Sequence, residues 1–317
     1  MKKTSPLIFI HIPKTAGTSL RMMLANASEL QMLYDYGLQQ RLTSNCIAKW
    51  VHGPGSDIFM LSKEMESNHI ISGHFSVARY QRLVPVSNMM SCVRDPLERV
   101  VSNYNHHVAH QNLEKSFEEF FRQESSINLQ RRMLGPIPAS LLGWICTTDN
   151  LMDSLDSLCE FVRARLSLRH DNRTSSTRAV CIDDLSEDTK SEICRLNKWD
   201  LKLYSEARRL NTERNQFSKI YPASLWVNHH VAVNDAKILG GCAFRRGQHE
   251  PVQLELLLDD QVIGECGASE EFNEFARFSF PRKRYIGFRI PINNISEGKL
   301  SLRVADTHQV LFTQLVG

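Results

Sequence analysis

The stretch HIPKTAGTS, residues 11–19, gathers one ammonium and three hydroxyls around two very small residues. Lys14, Thr15, Thr18 and Ser19 can all donate hydrogen bonds, while Ala16 and Gly17 let a ligand come close to the backbone. A helix start leaves N–H groups unpaired and carries partial positive charge, so this set suits an anion. The spacing is not that of a nucleotide triphosphatase loop, which needs G-x-x-x-x-G-K-[ST]. Here Lys14 precedes the single Gly17, no glycine opens the loop, and no convincing acidic strand end offers itself to Mg²⁺. The loop is sized for one phosphate group. A plain strand–helix corner with a solvated lysine is the alternative.

A second candidate lies in CVRDPLERVVSNYNHH. Arg94 stands at a predicted strand end and Ser102 in the second turn of the next helix, so the two can converge on another phosphate. The bland alternative is a capped helix with Glu98 and Arg99 in surface pairs.

These residues need a scaffold that brings strand ends together. Leu7–Ile12 reads as a buried strand and Thr18–Ala27 as the helix after it. A second apolar run, His69–Ser72, ends in Gly73 and His74, and VSNMMSCVRDP reads as a third strand. Pro96 suits a first helical turn, with Asp95 as its cap. Helical patterns follow over Leu97–His110, Phe117–Glu124, Leu151–Leu166 and Thr189–Leu210. Strands alternating with helices predict an α/β fold: a P-loop-like, mostly parallel sheet flanked by helices. Near Tyr221–Pro222 the texture changes to short alternating runs such as VQLELLLDDQVIGEC and KLSLRVAD. The expected organisation is therefore one domain over 1–225 and a small antiparallel, sandwich-like all-β module over 226–317.

Composition narrows the classes. A net charge of +3 over 317 residues is too small to argue for nucleic acid. It is uneven: 28 Lys/Arg against 24 Asp/Glu before Trp226, and 10 against 11 from there on. The eight cysteines form no C-x-x-C pair and no close Cys/His cluster, which argues against zinc and disulfide scaffolds and for reduced thiols. The first apolar run is too short for a signal peptide or a transmembrane segment. The expectation is a cytoplasmic protein with no metal.

Taken together, HIPKTAGTS and RDPLERVVS resemble the carbohydrate sulfotransferase family that includes heparan sulfate 2-O- and 6-O-sulfotransferases. NLQRRMLG at 128–135 is similar to the family's N-x-Q-x-R-x-L segment, and LNKWDLKLYSEA at 196–207 to its D-x-x-L-Y helix. The resemblance covers roughly residues 5 to 215. It implies 3′-phosphoadenosine-5′-phosphosulfate (PAPS) as sulfo donor and a carbohydrate or glycan acceptor. Lys14, Thr15, Ala16, Gly17, Thr18 and Ser19 would then face the 5′-phosphosulfate, and Arg94 and Ser102 the 3′-phosphate. DNRTSS resembles the stretch that closes over the donor, which makes Thr174 and Ser175 further candidates. In GWICTTD, Cys146 stands where the family has Glu. Family relatives in the Golgi carry a membrane anchor, so a chain without one reads as bacterial-type.

Sulfonyl transfer to an alcohol needs a base and a stabiliser for the leaving phosphate. Histidine suits the first and Lys14 the second. His74, in SGHF, lies beyond a predicted strand on the sheet edge expected for Lys14 and Arg94, where open α/β sheets bind ligands. The resemblance gives it the same role, since 2-O-sulfotransferases carry their catalytic histidine in a similar G-H-x-x-F setting. His106 follows Ser102 by one turn and, by resemblance to 6-O-sulfotransferases, touches acceptor. His11 reads as a satisfied buried histidine. A P-loop kinase and a non-catalytic glycan-binding protein are the competing readings.

Overall fold

The computed structural model describes residues 6–111, 113–167 and 179–317. The chain runs β1 (Leu7–Ile10), α1 (Gly17–Ala25), β2 (Gln31–Asp35), α2 (Asn45–Ile47), α3 (Ile58–Glu64) and β3 (His69–Gly73). Then come β4 (Met89–Val93), α4 (Pro96–Gln111), α5 (Phe117–Phe121), α6 (Leu129–Leu134), β5 (Trp144–Thr147) and α7 (Leu155–Val162). Next, α8 (Glu187–Leu196) and α9 (Lys198–Phe217) lead into β6 (Val227–Val233), β7 (Ile238–Arg245) and β8 (Gln253–Leu258). The chain closes with β9 (Gln261–Gly267), β10 (Glu270–Glu271), β11 (Tyr285–Pro291), β12 (Gly298–Val304) and β13 (Val310–Val316).

The first five strands form a parallel sheet of order β2-β3-β1-β4-β5. Its strands alternate between two cores. Ile8, Ile10, Ile71, Met89 and Val93 face one side, where α6 and α9 pack through Met133, Leu134, Leu203 and Ala207. Leu7, Phe9, Ile70, Met90 and Cys92 face the other, covered by Leu20, Met23 and Leu24 of α1 and by Leu158 and Phe161 of α7. Each such fully buried aliphatic side chain contributes about 1.5–3 kcal/mol. Burial on both faces is why these strands read as nearly continuous apolar runs.

One expectation changes, and one alternative is set aside. The pattern over Thr189–Leu210 is not one helix: Asn197 leaves helical geometry (φ −101°, ψ 30°) and separates α8 from α9. Its side chain bonds both ways, donating to the Ile193 carbonyl at 2.9 Å and accepting from the Asn128 N–H at 2.8 Å. Arg99 is also not in a surface pair. It is wholly buried and donates to the Ser126 carbonyl at 2.6 Å, while Glu98 pairs with Arg94 instead. The cap on α4 is as expected: Asp95 Oδ1 accepts from the N–H groups of Leu97 and Glu98.

After α9 come two antiparallel sheets, of order β10-β11-β7-β6 and β13-β12-β8-β9. They share a core in which Val227, Leu239 and Phe288 of one meet Leu254, Leu256 and Leu302 of the other. The first of them also packs on the parallel sheet, because Phe244, Phe272, Phe280 and Ile286 belong to the same core as Ile8 and Ile10. No helix among the described residues is long and apolar enough to cross a membrane.

Candidate active site

Strand order decides what meets what. β1 pairs with β3 on one side and β4 on the other, and Ile10 lies opposite Gly73. The loops that follow these three strands therefore leave the same edge side by side. They carry His11–Lys14, His74 and Arg94. Lys14 and Arg94 follow the strands that flank the point where the connections reverse direction, the position at which open α/β sheets bind ligands.

The loop after β1 is built from unusual backbone. Lys14 and Ala16 both adopt the left-handed conformation, with φ of 67° and 57°, which costs a non-glycine residue about 1–2 kcal/mol each. Thr15 is buried between them and spends its hydroxyl on the Ile12 carbonyl at 2.9 Å. It can thus offer a ligand its backbone rather than its side chain. The start of α1 has no side-chain cap, so its first N–H groups have no partner from that source. Thr18 is exposed and Ser19 half-buried.

Gly17 has a second purpose beyond ligand approach. A Cβ there would lie 1.9 Å from Cδ2 of His11, so the His11 ring fills the space a side chain would need. His11 is the satisfied buried histidine that its sequence position predicts. It is 5% exposed, and its Nδ1 lies 3.0 Å from the Tyr36 hydroxyl. Burial, then the nearby His74 and Arg21, pull its pKa down to about 3, so it is neutral.

Lys14 is the electrostatic centre. Burial and then the Arg94 guanidinium lower its pKa. Among the described residues no carboxylate pairs with it. Lys14 also presses on His106, whose pKa falls through burial first and Lys14 second. Lys14 therefore lies in the field of Arg94, and His106 in that of Lys14. Arg94 is held at both ends. Its side chain donates to Glu98 at 3.0 Å, and its peptide N–H and C=O each bond the buried Gln130 amide at 2.8 Å. Ser102 lies half-buried two turns into α4 and makes no side-chain hydrogen bond among the described residues.

His74 stands at the end of β3. Its Nδ1 is 2.7 Å from the His11 carbonyl oxygen. A carbonyl only accepts, so Nδ1 must carry the proton, which leaves Nε2 as the free base. The ring packs edge-on against Tyr36, with centroids 5.0 Å apart. One side of His74 is open to solvent. Crowding on the others lowers its pKa below 6.5, the His11 carbonyl opposes that shift, and Arg21 adds to it.

Three residues join this site that the sequence reading does not name. Tyr36 walls His74. Arg21 reaches the same cluster from α1, lying over the Tyr34 ring at 5.5 Å. Its signal was an arginine inside the otherwise apolar LRMML, one turn beyond Gly17. Asp35 is fully buried and accepts from His52 at 2.7 Å and from Arg79 and Tyr80 at 2.8 Å each. Burial alone would raise its pKa, but those donors hold it below the ordinary value. Asp35 thereby ties the segment after His74 to the end of β2.

Cys146 sits opposite Cys92 on the neighbouring strand, fully buried in the apolar core, where burial raises its pKa. Thr174 and Ser175 lie outside the described residues. Among the described residues, no group of three His, Cys, Asp or Glu side chains could hold a metal ion.

Residues 1–151, which span β1 to β5, match the model of the sulfotransferase family. No curated protein sequence matches the chain. One similar solved structure is a sulfotransferase from Alicyclobacillus acidocaldarius, 14% identical, with a TM-score of 0.37 over 63% of this chain and 94% of that one. Another is mouse sulfotransferase SULT7A1 complexed with PAP, 12% identical, with a TM-score of 0.30 over 61% of this chain and 63% of that one.

Proposed function

We propose that this chain transfers the sulfo group of PAPS to a carbohydrate hydroxyl. The observation that carries the reading is Lys14: an ammonium lowered by burial and by Arg94, with no carboxylate partner among the described residues. An anion relieves that arrangement, and the uncapped start of α1 adds N–H groups to receive it. The sulfotransferase-family match over residues 1–151 supports sulfo transfer. The carbohydrate acceptor rests on the motif likeness.

In this reading Lys14 to Ser19 hold the phosphosulfate, while Arg94 and Ser102 hold the 3′-phosphate. The donor supplies an activated sulfo group on a phosphate leaving group. Nε2 of His74 takes the proton of the acceptor hydroxyl as its oxygen bonds to sulfur. Lys14 stabilises the negative charge released on the phosphate, where a positioned donor is worth about 3–4 kcal/mol. His106, in the field of Lys14, contacts the acceptor. We read the parallel sheet with its loop as P-loop-like, residues 1–225 as the transferase domain and 226–317 as a sandwich-like module. Eight free thiols suit a reducing compartment, the cytoplasm.

The test is a calorimetric comparison of PAPS with Mg-ATP. PAPS should bind at least about 10-fold more tightly, the worth of one added charge-assisted contact. Equal or tighter ATP binding would overturn the proposal.

A further inference from the structure

A second group of cations lies at the opposite edge of the parallel sheet. Arg214, from α9, is 8% exposed and donates to the Gly143 carbonyl at 2.9 Å. Arg246, just after β7, donates to Asn88 Oδ1 at 2.9 Å and to the Phe161 carbonyl at 2.6 Å. Gly143 precedes β5 and Asn88 precedes β4, so both anchors are at strand starts. Lys14 and Arg94 lie beyond strand ends, about 15 Å away along a five-residue strand.

Both guanidiniums line a cavity of about 380 Å³ between the parallel sheet and the first antiparallel sheet. Arg163, at the end of α7, is the third arginine of its lining. None of the three has an ion-pair partner among the described residues. The cavity's one carboxylate, Glu160, is engaged by the Ala223 N–H at 3.1 Å. Aromatic faces support the arginines: Arg214 lies 4.9 Å from the Trp226 centroid and Arg246 4.1 Å from that of Phe161. Stacked and tied to carbonyls, the guanidiniums are fixed before any ligand arrives.

Burial is the first cause that lowers the pKa of Arg214 to about 9 and of Arg246 to about 10. The second cause is a neighbouring arginine: Arg246 acts on Arg214, and Arg163 on Arg246. Like charges thus neighbour one another along the cavity wall. A buried charge without a partner is destabilising, and an anion beside Arg214 and Arg246 would relieve both, with Arg163 at the rim to receive it.

We propose that this cavity is a second anion site, distinct from the donor site, that takes one tetrahedral oxyanion of the sulfate or phosphate monoester class. Its ligand would bridge α9, α7 and the antiparallel sheet.

The test uses the Lys14→Ala/Arg94→Ala protein, so that the donor loop no longer takes up anions. Inorganic sulfate, and separately inorganic phosphate, are titrated into it at constant ionic strength and followed by calorimetry and thermal shift. One saturable event is expected, with a matching rise in Tm. Adding Arg163→Glu, at an exposed position, should weaken it by about 10-fold or more. Tighter sulfate than phosphate assigns a sulfate ester, and the reverse a phosphate ester. No saturable binding, or binding unchanged by Arg163→Glu in a variant that melts normally, would overturn the proposal. The outcome does not depend on whether PAPS is the donor.

Discussion

His74 Nδ1 donates to the backbone carbonyl of His11 across 2.7 Å. The strand that delivers Lys14 therefore also fixes which nitrogen of His74 is basic. Because the tie is to backbone, replacing the His11 side chain leaves the acceptor oxygen in place.

His74→Ala should lower turnover by about 10²–10⁴ and leave donor affinity nearly unchanged. Wild-type kcat/KM should rise with pH through a pKa below 6.5, because burial favours the neutral ring, and be flat by neutral pH. Residual His74→Ala activity should lack that limb. A mutant with full turnover and an unchanged profile would remove the base assignment.

Stability should fall on acidification. His11 and His229 are buried neutral, with pKa values lowered from 6.5 to about 3 and about 4. Between those values and 6.5 the unfolded chain binds more protons than the folded one. Stability is therefore fully present above pH 6.5 and is lost as pH drops, by up to about 1.4 kcal/mol per pH unit for each histidine. Denaturation curves from pH 7 to pH 4 check this. His11→Gln and His229→Gln should each flatten the slope; an unaltered slope would contradict the assignment.

Gln130→Leu removes the amide that bonds both peptide groups of Arg94. Unpaired buried groups cost about 1–3 kcal/mol, and the guanidinium loses its fixed base. Affinity for 3′,5′-adenosine bisphosphate should fall by about 10-fold, with AMP affinity little changed. An equal loss for both nucleotides would show that Gln130 supports the fold and not Arg94 in particular.

The elements carrying Lys14, His74 and Arg94 were legible because their strands are buried on both faces and end in Pro, Gly or Arg-Asp-Pro. β2 and β5 were not recognised. They are the edge strands of the sheet, and β2 is only partly buried, with Gln31 exposed and Met32 and Tyr34 half-buried. With β2 unread, Tyr36 and Asp35 had no place on the site edge. The break at Asn197 escaped because its cause is tertiary: Asn128, some 70 residues earlier, accepts from the N–H groups of Trp199 and Asp200. The burial of Arg99, against the surface-pair alternative, is tertiary in the same way, since only the fold brings Asp200 near enough to raise its pKa against burial. The role of Gly17 was half legible. Its sequence position suggested room for an anion, whereas the His11 ring is what occupies the missing side chain's space.

The central claim is a donor site with two phosphate positions, one at Lys14 and one at Arg94. Calorimetry of 3′,5′-adenosine bisphosphate against AMP tests it without knowledge of the acceptor. The bisphosphate should bind about 10- to 100-fold more tightly, the worth of one charge-assisted contact of about 1.5–3 kcal/mol, and Arg94→Ala should erase most of that preference. Equal affinity of the wild-type protein for the two nucleotides would contradict the account.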